Sequence, residues 1–147
     1  MIKTIQVALL EDHPVFRTGV KLSLAPVCHV ALEAATASEF FTKLQTATID
    51  IVVLDIMLPD ASGIDVAQRL REEHPEVKIL VLSVDGREET FVRLMQIGID
   101  GFLSKNASED KILEAVQTIC GGGNYFSRPE DILERDILIS ACSRRHE

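Results

Sequence analysis

Short apolar runs alternate along this chain with longer stretches of helical period. Ile5-Gln6-Val7-Ala8-Leu9-Leu10, Ile51-Val52-Val53-Leu54 and Ile79-Leu80-Val81-Leu82 are apolar almost throughout and lack a clean two-residue alternation. Strands of that kind are covered on both faces, as in the middle of a parallel sheet. Residues 29–32 and 101–103 are weaker strand candidates, and their shortness places them at the sheet edges. Between the runs, Phe16, Val20 and Leu24 follow Pro14, which suits a first helical turn. Phe40, Phe41 and Leu44 mark a second helix, capped by Thr36 or Ser38. Ile64, Ala67 and Leu70 mark a third that ends near Pro75, and Phe91, Leu94 and Met95 a fourth stopped by Gly98. Ser108 caps a fifth with the buried stripe Ile112, Ala115, Val116 and Ile119, ended by Gly121-Gly122-Gly123.

Strands that alternate with helices predict an α/β fold: a doubly wound, five-stranded parallel sheet with helices on both faces. The flavodoxin-like order 2-1-3-4-5 is the leading topology. Residues 128–147 stand apart from this body of 1–127. Ser127-Arg128-Pro129-Glu130 has capping-box spacing, and Ile132, Leu133, Ile137, Leu138 and Ala141 continue an apolar helical face. A sixth, C-terminal helix or a linker helix is expected there. It packs on the body or pairs with a second subunit.

The length of 147 residues suits one domain, and 46% apolar against 26% charged residues excludes a disordered chain. The net charge of −8 disfavours nucleic acid as a direct partner and favours a small cation or a basic surface. No apolar stretch approaches the roughly 20 residues that cross a bilayer. The N-terminus lacks the features of a signal peptide, so a cytoplasmic protein is expected. Cys28, Cys120 and Cys142 fit neither a disulfide framework nor a zinc site, and read as idle thiols. His13, His29, His74 and His146 show no ligand spacing, and surface or capping roles are expected for them. The glycine triplet is no phosphate loop, since no strand precedes it and no Gly-Lys-Ser/Thr follows.

Ligands bind a parallel α/β sheet beyond the carboxyl ends of its strands. The polar residues that follow the strands here are Glu11 and Asp12, then Asp55, then Ser83, then Lys105 just past Ser104. Each alone has a bland reading: a capping pair, a turn residue before Leu58-Pro59, a loop hydroxyl, a solvated surface charge. Together they are harder to dismiss. Converging carboxylates repel, and one protonates unless a cation sits among them. Mg²⁺, a hard ion that accepts a few carboxylates and keeps waters, meets the need. A nearby lysine points to further negative charge, such as a phosphoryl group, and carboxylates are known nucleophiles for phosphoryl transfer.

Glu11-Asp12-His13-Pro14-Val15-Phe16-Arg17-Thr18-Gly19, Asp55-Ile56-Met57-Leu58-Pro59 with Gly63, Ser83, and Asp100-Gly101-Phe102-Leu103-Ser104-Lys105 resemble the receiver domain of bacterial two-component response regulators. The His-Pro after the acidic pair and Gly123-Asn124-Tyr125-Phe126-Ser127 are most similar to the LuxR/NarL/FixJ branch. The resemblance implies the doubly wound fold and a set of roles. Asp55 resembles the phosphoacceptor. Glu11 and Asp12 resemble the acidic pair that holds Mg²⁺ (or Mn²⁺), completed by Asp55 and the backbone carbonyl of Met57. Lys105 resembles the lysine that pairs with phosphoryl oxygens, Ser83 the switch hydroxyl, and Phe102 the switch aromatic that turns inward. It further implies a sensor histidine kinase as phosphodonor and a switched face on the fourth and fifth helices and the last strand. A homodimer formed on phosphorylation, and DNA binding only through a helix-turn-helix output domain, are also implied. Only about 20 residues follow the receiver here, so the expectation is a receiver without its output domain, or a stand-alone receiver acting through protein contacts. No enzyme activity beyond self-catalysed phosphorylation and dephosphorylation is implied.

Three positions depart from the family pattern. Asn106 replaces the proline that often follows the lysine, and a cis Lys105–Asn106 bond is expected nonetheless, to aim the lysine inward. Val84 follows the switch hydroxyl where a small residue is usual, so it narrows access to Asp55, with Met57 as a second shield. Phe102 replaces the commoner tyrosine. The rival class is a Mg²⁺-dependent phosphatase of the haloacid-dehalogenase type, which needs a second aspartate where this chain has Met57. A flavin or dinucleotide domain lacks its glycine-rich turn here, because Glu11-Asp12-His13-Pro14 takes that place.

Overall fold

The period-two pattern hidden in the apolar strands sorts the core into two halves. In the computed structural model, which describes residues 4–84 and 86–127, Ala8, Leu10, Val52, Leu54, Ile79, Val81 and Phe102 face one side of a sheet. Val7, Leu9, Ile51, Val53, Leu80, Leu82 and Leu103 face the other. Successive strand residues point to opposite faces, so a strand buried on both sides is apolar at every position.

The elements run β1 (Ile5–Leu10), α1 (Pro14–Leu24), β2 (Cys28–Ala34), α2 (Ala37–Leu44), β3 (Ile51–Asp55), α3 (Gly63–Glu73), β4 (Lys78–Ser83), α4 (Glu88–Ile97), β5 (Gly101–Ser104), α5 (Glu109–Cys120) and β6 (Tyr125–Ser127). All pairings are parallel, in the order β2-β1-β3-β4-β5-β6. Val20 and Leu24 of α1 and Ile112, Val116 and Ile119 of α5 cover one face. Phe40, Leu70, Phe91 and Leu94, from α2, α3 and α4, cover the other. The chain winds one way through β2 and the other way from β3 onward. The switch point, where such sheets bind ligands, therefore lies between the carboxyl ends of β1 and β3.

The predicted order of the first five strands stands, but the sheet has a sixth strand. Tyr125–Ser127 pairs with β5 through Gly101–Tyr125, Phe102–Phe126 and Leu103–Ser127. Three half-buried residues after a glycine run carry too little pattern to register as a strand. As a result β5 is interior rather than an edge, and the described edges are β2 and β6. The second strand extends beyond 29–32 at both ends. Thr36 is the cap of α2, its hydroxyl accepting from Glu39 N at 3.1 Å. Ser108 caps α5, and α4 ends on Gly98 at φ 97°, a left-handed position glycine adopts without a Cβ clash. The predicted helix over 128–147 lies outside the described residues.

Candidate functional site

β1 and β3 deliver their terminal acids to the same rim. Glu11 and Asp55 are both 5% exposed, whereas Asp12 is half-buried. Lys105 follows β5 and reaches back over the strand ends, because its N–H donates to Ser83 O at 2.9 Å. Its ammonium lies 2.5 Å from Glu11 Oε1 and 3.1 Å from Asp55 Oδ2. The topology thus brings Glu11, Asp12, Asp55 and Lys105 together, and places buried Ser83 at the end of β4 beside them.

The lysine does this from a trans backbone. No peptide bond among the described residues is cis, so the expected cis Lys105–Asn106 bond is corrected. A cis bond before a non-proline residue costs about 3–4 kcal/mol. The turn here needs no such isomer, since Asn106 N donates to Ser104 Oγ at 3.1 Å and Ala107 N to Ser104 O at 2.9 Å.

The β3–α3 loop is held just as closely. Met57 N donates to Asp55 Oδ1 at 3.1 Å, and Gly63 N to Ile56 O at 2.7 Å. Asp60 caps the neighbouring helix, accepting from Ala37 N at 2.9 Å and Ser38 N at 3.0 Å. These bonds hold the Asp60 carboxyl below its ordinary range. Asp12, His13, Asp55, Met57, Leu58, Pro59, Val84 and Lys105 line an open cleft of about 320 Å³. Met57 and Val84 lie on its rim with exposed side chains.

Phe102, expected to turn inward, is already inward. It is 2% exposed and meets Phe91 edge-on, with ring centres 5.3 Å apart. Phe91 in turn meets Phe126 of β6 at 6.2 Å.

Four contributors escaped the sequence reading. His13 stands at the cap position of α1 without capping it, and its Nδ1 lies 3.3 Å from Asp12 Oδ1 and 3.1 Å from Lys105 Nζ. Arg17 donates to the carbonyl of Glu11 at 2.7 Å and so fixes the β1–α1 corner. The Phe16 ring lies under the Lys105 ammonium at 4.8 Å. Asp60 ties the loop to α2. Adjacency to the acidic pair was a signal for His13, and helical spacing for Phe16 and Arg17. Asp60 had none, since its partners are 22 and 23 residues away.

The electrostatics are those of a nest short of positive charge. Burial, then the hydrogen bond and charge of Asp55, push Glu11 up from 4.5 to about 7 against the pull of Lys105. For Lys105, burial acts downward, but the hydrogen bonds and charges of Glu11 and Asp55 prevail and its pKa is raised. Glu11 Oε2 is buried without a hydrogen-bond partner, while Glu11 Oε1 faces the Lys105 ammonium and Asp12 Oδ1 lies 3.3 Å from His13 Nδ1. Orphaned buried acceptors are costly. Ligating atoms of Glu11, Asp12, His13 and Asp55 all lie within 4.8 Å of one another. A hard divalent cation fits this donor set, because it satisfies the unpartnered Glu11 oxygen and offsets the repulsion among the carboxylates.

Residues 7–117 match the response regulator receiver domain family, and the chain belongs to it. Its relatives are of the LuxR/NarL type. The transcriptional regulatory protein DegU of Brevibacillus brevis is 30% identical over 124 residues, 83% of this chain and 52% of that protein. The nitrate/nitrite response regulator protein NarL of Escherichia coli K12 is 32% identical over 123 residues, 82% of this chain and 57% of that protein. The chain thus spans about half the length of the curated relatives it matches. Among solved structures, a LuxR family two-component response regulator from Aurantimonas sp. SI85-9A1 superposes with a TM-score of 0.81 at 25% identity, over 99% of this chain and 100% of that one. The non-phosphorylated receiver domain of RcsB from Escherichia coli has the same fold, with a TM-score of 0.81 at 18% identity, over 86% of this chain and all of that one.

The raised Glu11 pKa sets a pH dependence. A bound divalent cation needs the carboxylate, and protons compete for it. With a pKa of about 7, Mg²⁺ affinity at pH 6 is expected to be about tenfold weaker than at pH 8. The cation-free fold should show the opposite trend in stability. Between 4.5 and about 7 the folded state binds more protons at Glu11 than the unfolded chain, so this contribution weakens as pH rises through that window. Calorimetric Mg²⁺ titration at the two pH values checks the first effect, and an affinity unchanged between them would contradict it.

Proposed function

We propose that this chain is a phosphorylation-switched signalling module in which Asp55 accepts a phosphoryl group from the phosphohistidine of a sensor histidine kinase. The observation that carries the reading is the convergence of buried Glu11 and Asp55 on the Lys105 ammonium at one strand-end cleft, with Glu11 Oε2 left unpartnered. Glu11, Asp12, Asp55 and the carbonyl of Met57 would hold Mg²⁺ (or Mn²⁺), which supplies charge neutralisation for the phosphoryl oxygens. An Asp55 carboxylate oxygen attacks phosphorus as the phosphorus–nitrogen bond breaks, and the imidazole departs with the electron pair and takes a proton. Met57 N–H and Lys105 hold the two Asp55 oxygens in place, each at 3.1 Å. Lys105 then turns from the carboxylate to the new phosphoryl oxygens, an in-line transfer that rests on positioning and charge.

The switch in this reading is a two-state element biased by the phosphoryl group. Ser83 moves toward that group, and the register of β4 with β5 couples it to the strand of Phe102. The ring packs on Phe91 of α4, so the signal emerges on the α4–β5–α5 face. Names of the relatives, "transcriptional regulatory protein" among them, support control of transcription through an output domain in a longer protein, with homodimerisation as the consequence of phosphorylation. A stand-alone receiver acting by protein contact is the second reading. Among the described residues no helix is long and apolar enough to cross a membrane, which is compatible with the cytoplasm as its place of action.

The test is incubation with Mg²⁺ and a small acyl phosphate donor, followed by intact mass. One phosphoryl group added only with a divalent cation supports the reading; no addition, or cation-independent addition, contradicts it. Val84, 63% exposed at the rim, bears on the rate. Val84→Ala is expected to take up phosphoryl from the small donor several-fold faster, and equal rates would remove Val84 as a barrier.

A further inference from the structure

The strand β6 is held by few and separable contacts. It is three residues long, and all three are half-buried. Tyr125 N donates to Asp100 O at 3.1 Å, and the Tyr125 hydroxyl donates to Glu114 Oε2 of α5 at 3.3 Å. Its apolar anchor is Phe126, paired in register with Phe102 of β5. A third ring joins these two. Phe91 of α4 stands edge-on to Phe102, with centres 5.3 Å apart and planes at 90°, and edge-on to Phe126 at 6.2 Å and 89°. Phe91 and Phe102 are buried, whereas Phe126 is only half-buried. At its far end, Ser127 lines one cleft with Ser104 and Asn106, the residues on either side of Lys105.

A short edge strand with so little burial opens locally more easily than the core behind it. Its docking is therefore an equilibrium that a change at Phe102 can bias. With Phe102 inward, as here, Phe91 is wedged between two rings. With Phe102 elsewhere, Phe91 loses one of these edge contacts and Phe126 loses a fixed wall to pack on. We propose that β6 is a latch coupled to the phosphorylation site: its docking on β5 and the inward Phe102 stabilise each other through Phe91, so that a phosphoryl group at Asp55 tightens β6 and fixes the chain at Ser127. The inference rests on the proposed phosphorylation of Asp55 and names the element that carries its signal beyond β5. Linkage makes the coupling reciprocal: β6 tightens phosphoryl binding by the factor by which the phosphoryl group tightens β6. An edge-to-face pair is worth about two- to tenfold in an equilibrium constant, which sets the size of that factor.

Amide hydrogen exchange of the wild-type chain in Mg²⁺, with and without beryllofluoride, reads one side of the linkage, and the beryllofluoride affinity of Phe126→Ala reads the other. Beryllofluoride is expected to slow exchange at the Tyr125 amide by about fivefold, and Phe126→Ala to bind it about fivefold more weakly. Tyr125→Phe removes the hydroxyl bond to Glu114 but leaves the three rings in place. It should exchange faster at residue 125 and still be slowed by beryllofluoride, whereas in Phe126→Ala that slowing should vanish. Tyr125 exchange unchanged in a chain that binds beryllofluoride, or wild-type affinity in Phe126→Ala, overturns the inference. A wild-type chain that binds no beryllofluoride sinks the proposed function instead, so the two failures are distinguishable.

Discussion

Asp55→Asn is expected to abolish phosphoryl acceptance while leaving the fold intact. The amide keeps an oxygen for Met57 N–H, whose bond to Asp55 Oδ1 is 3.1 Å, but it is no nucleophile at phosphorus. Removing one of the buried carboxylates also relieves Glu11, whose pKa is pushed up to about 7 by burial and then by Asp55. The variant should therefore melt at or above the wild-type temperature without divalent cation, and gain less from added Mg²⁺. Intact mass after incubation with an acyl phosphate measures the first effect and a melting curve the second. A singly phosphorylated Asp55→Asn protein would place the acceptor elsewhere.

The second large effect belongs to a residue with no side chain. A Cβ on Gly63 would stand 2.5 Å from Ile56 Cα and 2.7 Å from Asp55 O. Both are backbone atoms, so no side-chain rotation makes room. The start of α3 must move away from the loop, which breaks the 2.7 Å bond from Gly63 N to Ile56 O. Overpacking of this kind costs about 1–3 kcal/mol. The same displacement shifts Met57 and Asp55, so Gly63→Ala should also weaken Mg²⁺ binding by about tenfold, the lower end of the loss when support around a metal site is removed. Denaturant midpoints and Mg²⁺ titrations measure both. Gly63→Ala with wild-type stability and affinity would show that the loop yields freely.

How far the sequence could be read depended on how local each cause is. The interior strands were legible because burial on both faces leaves an unbroken apolar run, as at 51–54. The acids and the lysine were legible because strand ends in a parallel sheet share one rim, so position in the chain implies position in space. β6 was not, since three half-buried residues owe their strand state to the neighbouring β5. The trans Lys105–Asn106 bond was missed for a similar reason. The lysine's aim is set by Ser83 O on the adjacent strand, not by its own neighbours in the chain. His13 reads from sequence as a helix-start residue, and only the fold shows its ring among the carboxylates.

The most direct test of the acidic nest as a cation-dependent phosphoryl site is an amide NMR titration of the chain with beryllofluoride, with and without Mg²⁺. The predicted result is saturable shifts centred on Asp55, Met57, Ser83 and Lys105 that spread to Phe102 and α4, seen only when Mg²⁺ is present. Shifts that ignore Mg²⁺, or that leave Asp55 and Lys105 untouched, would contradict it.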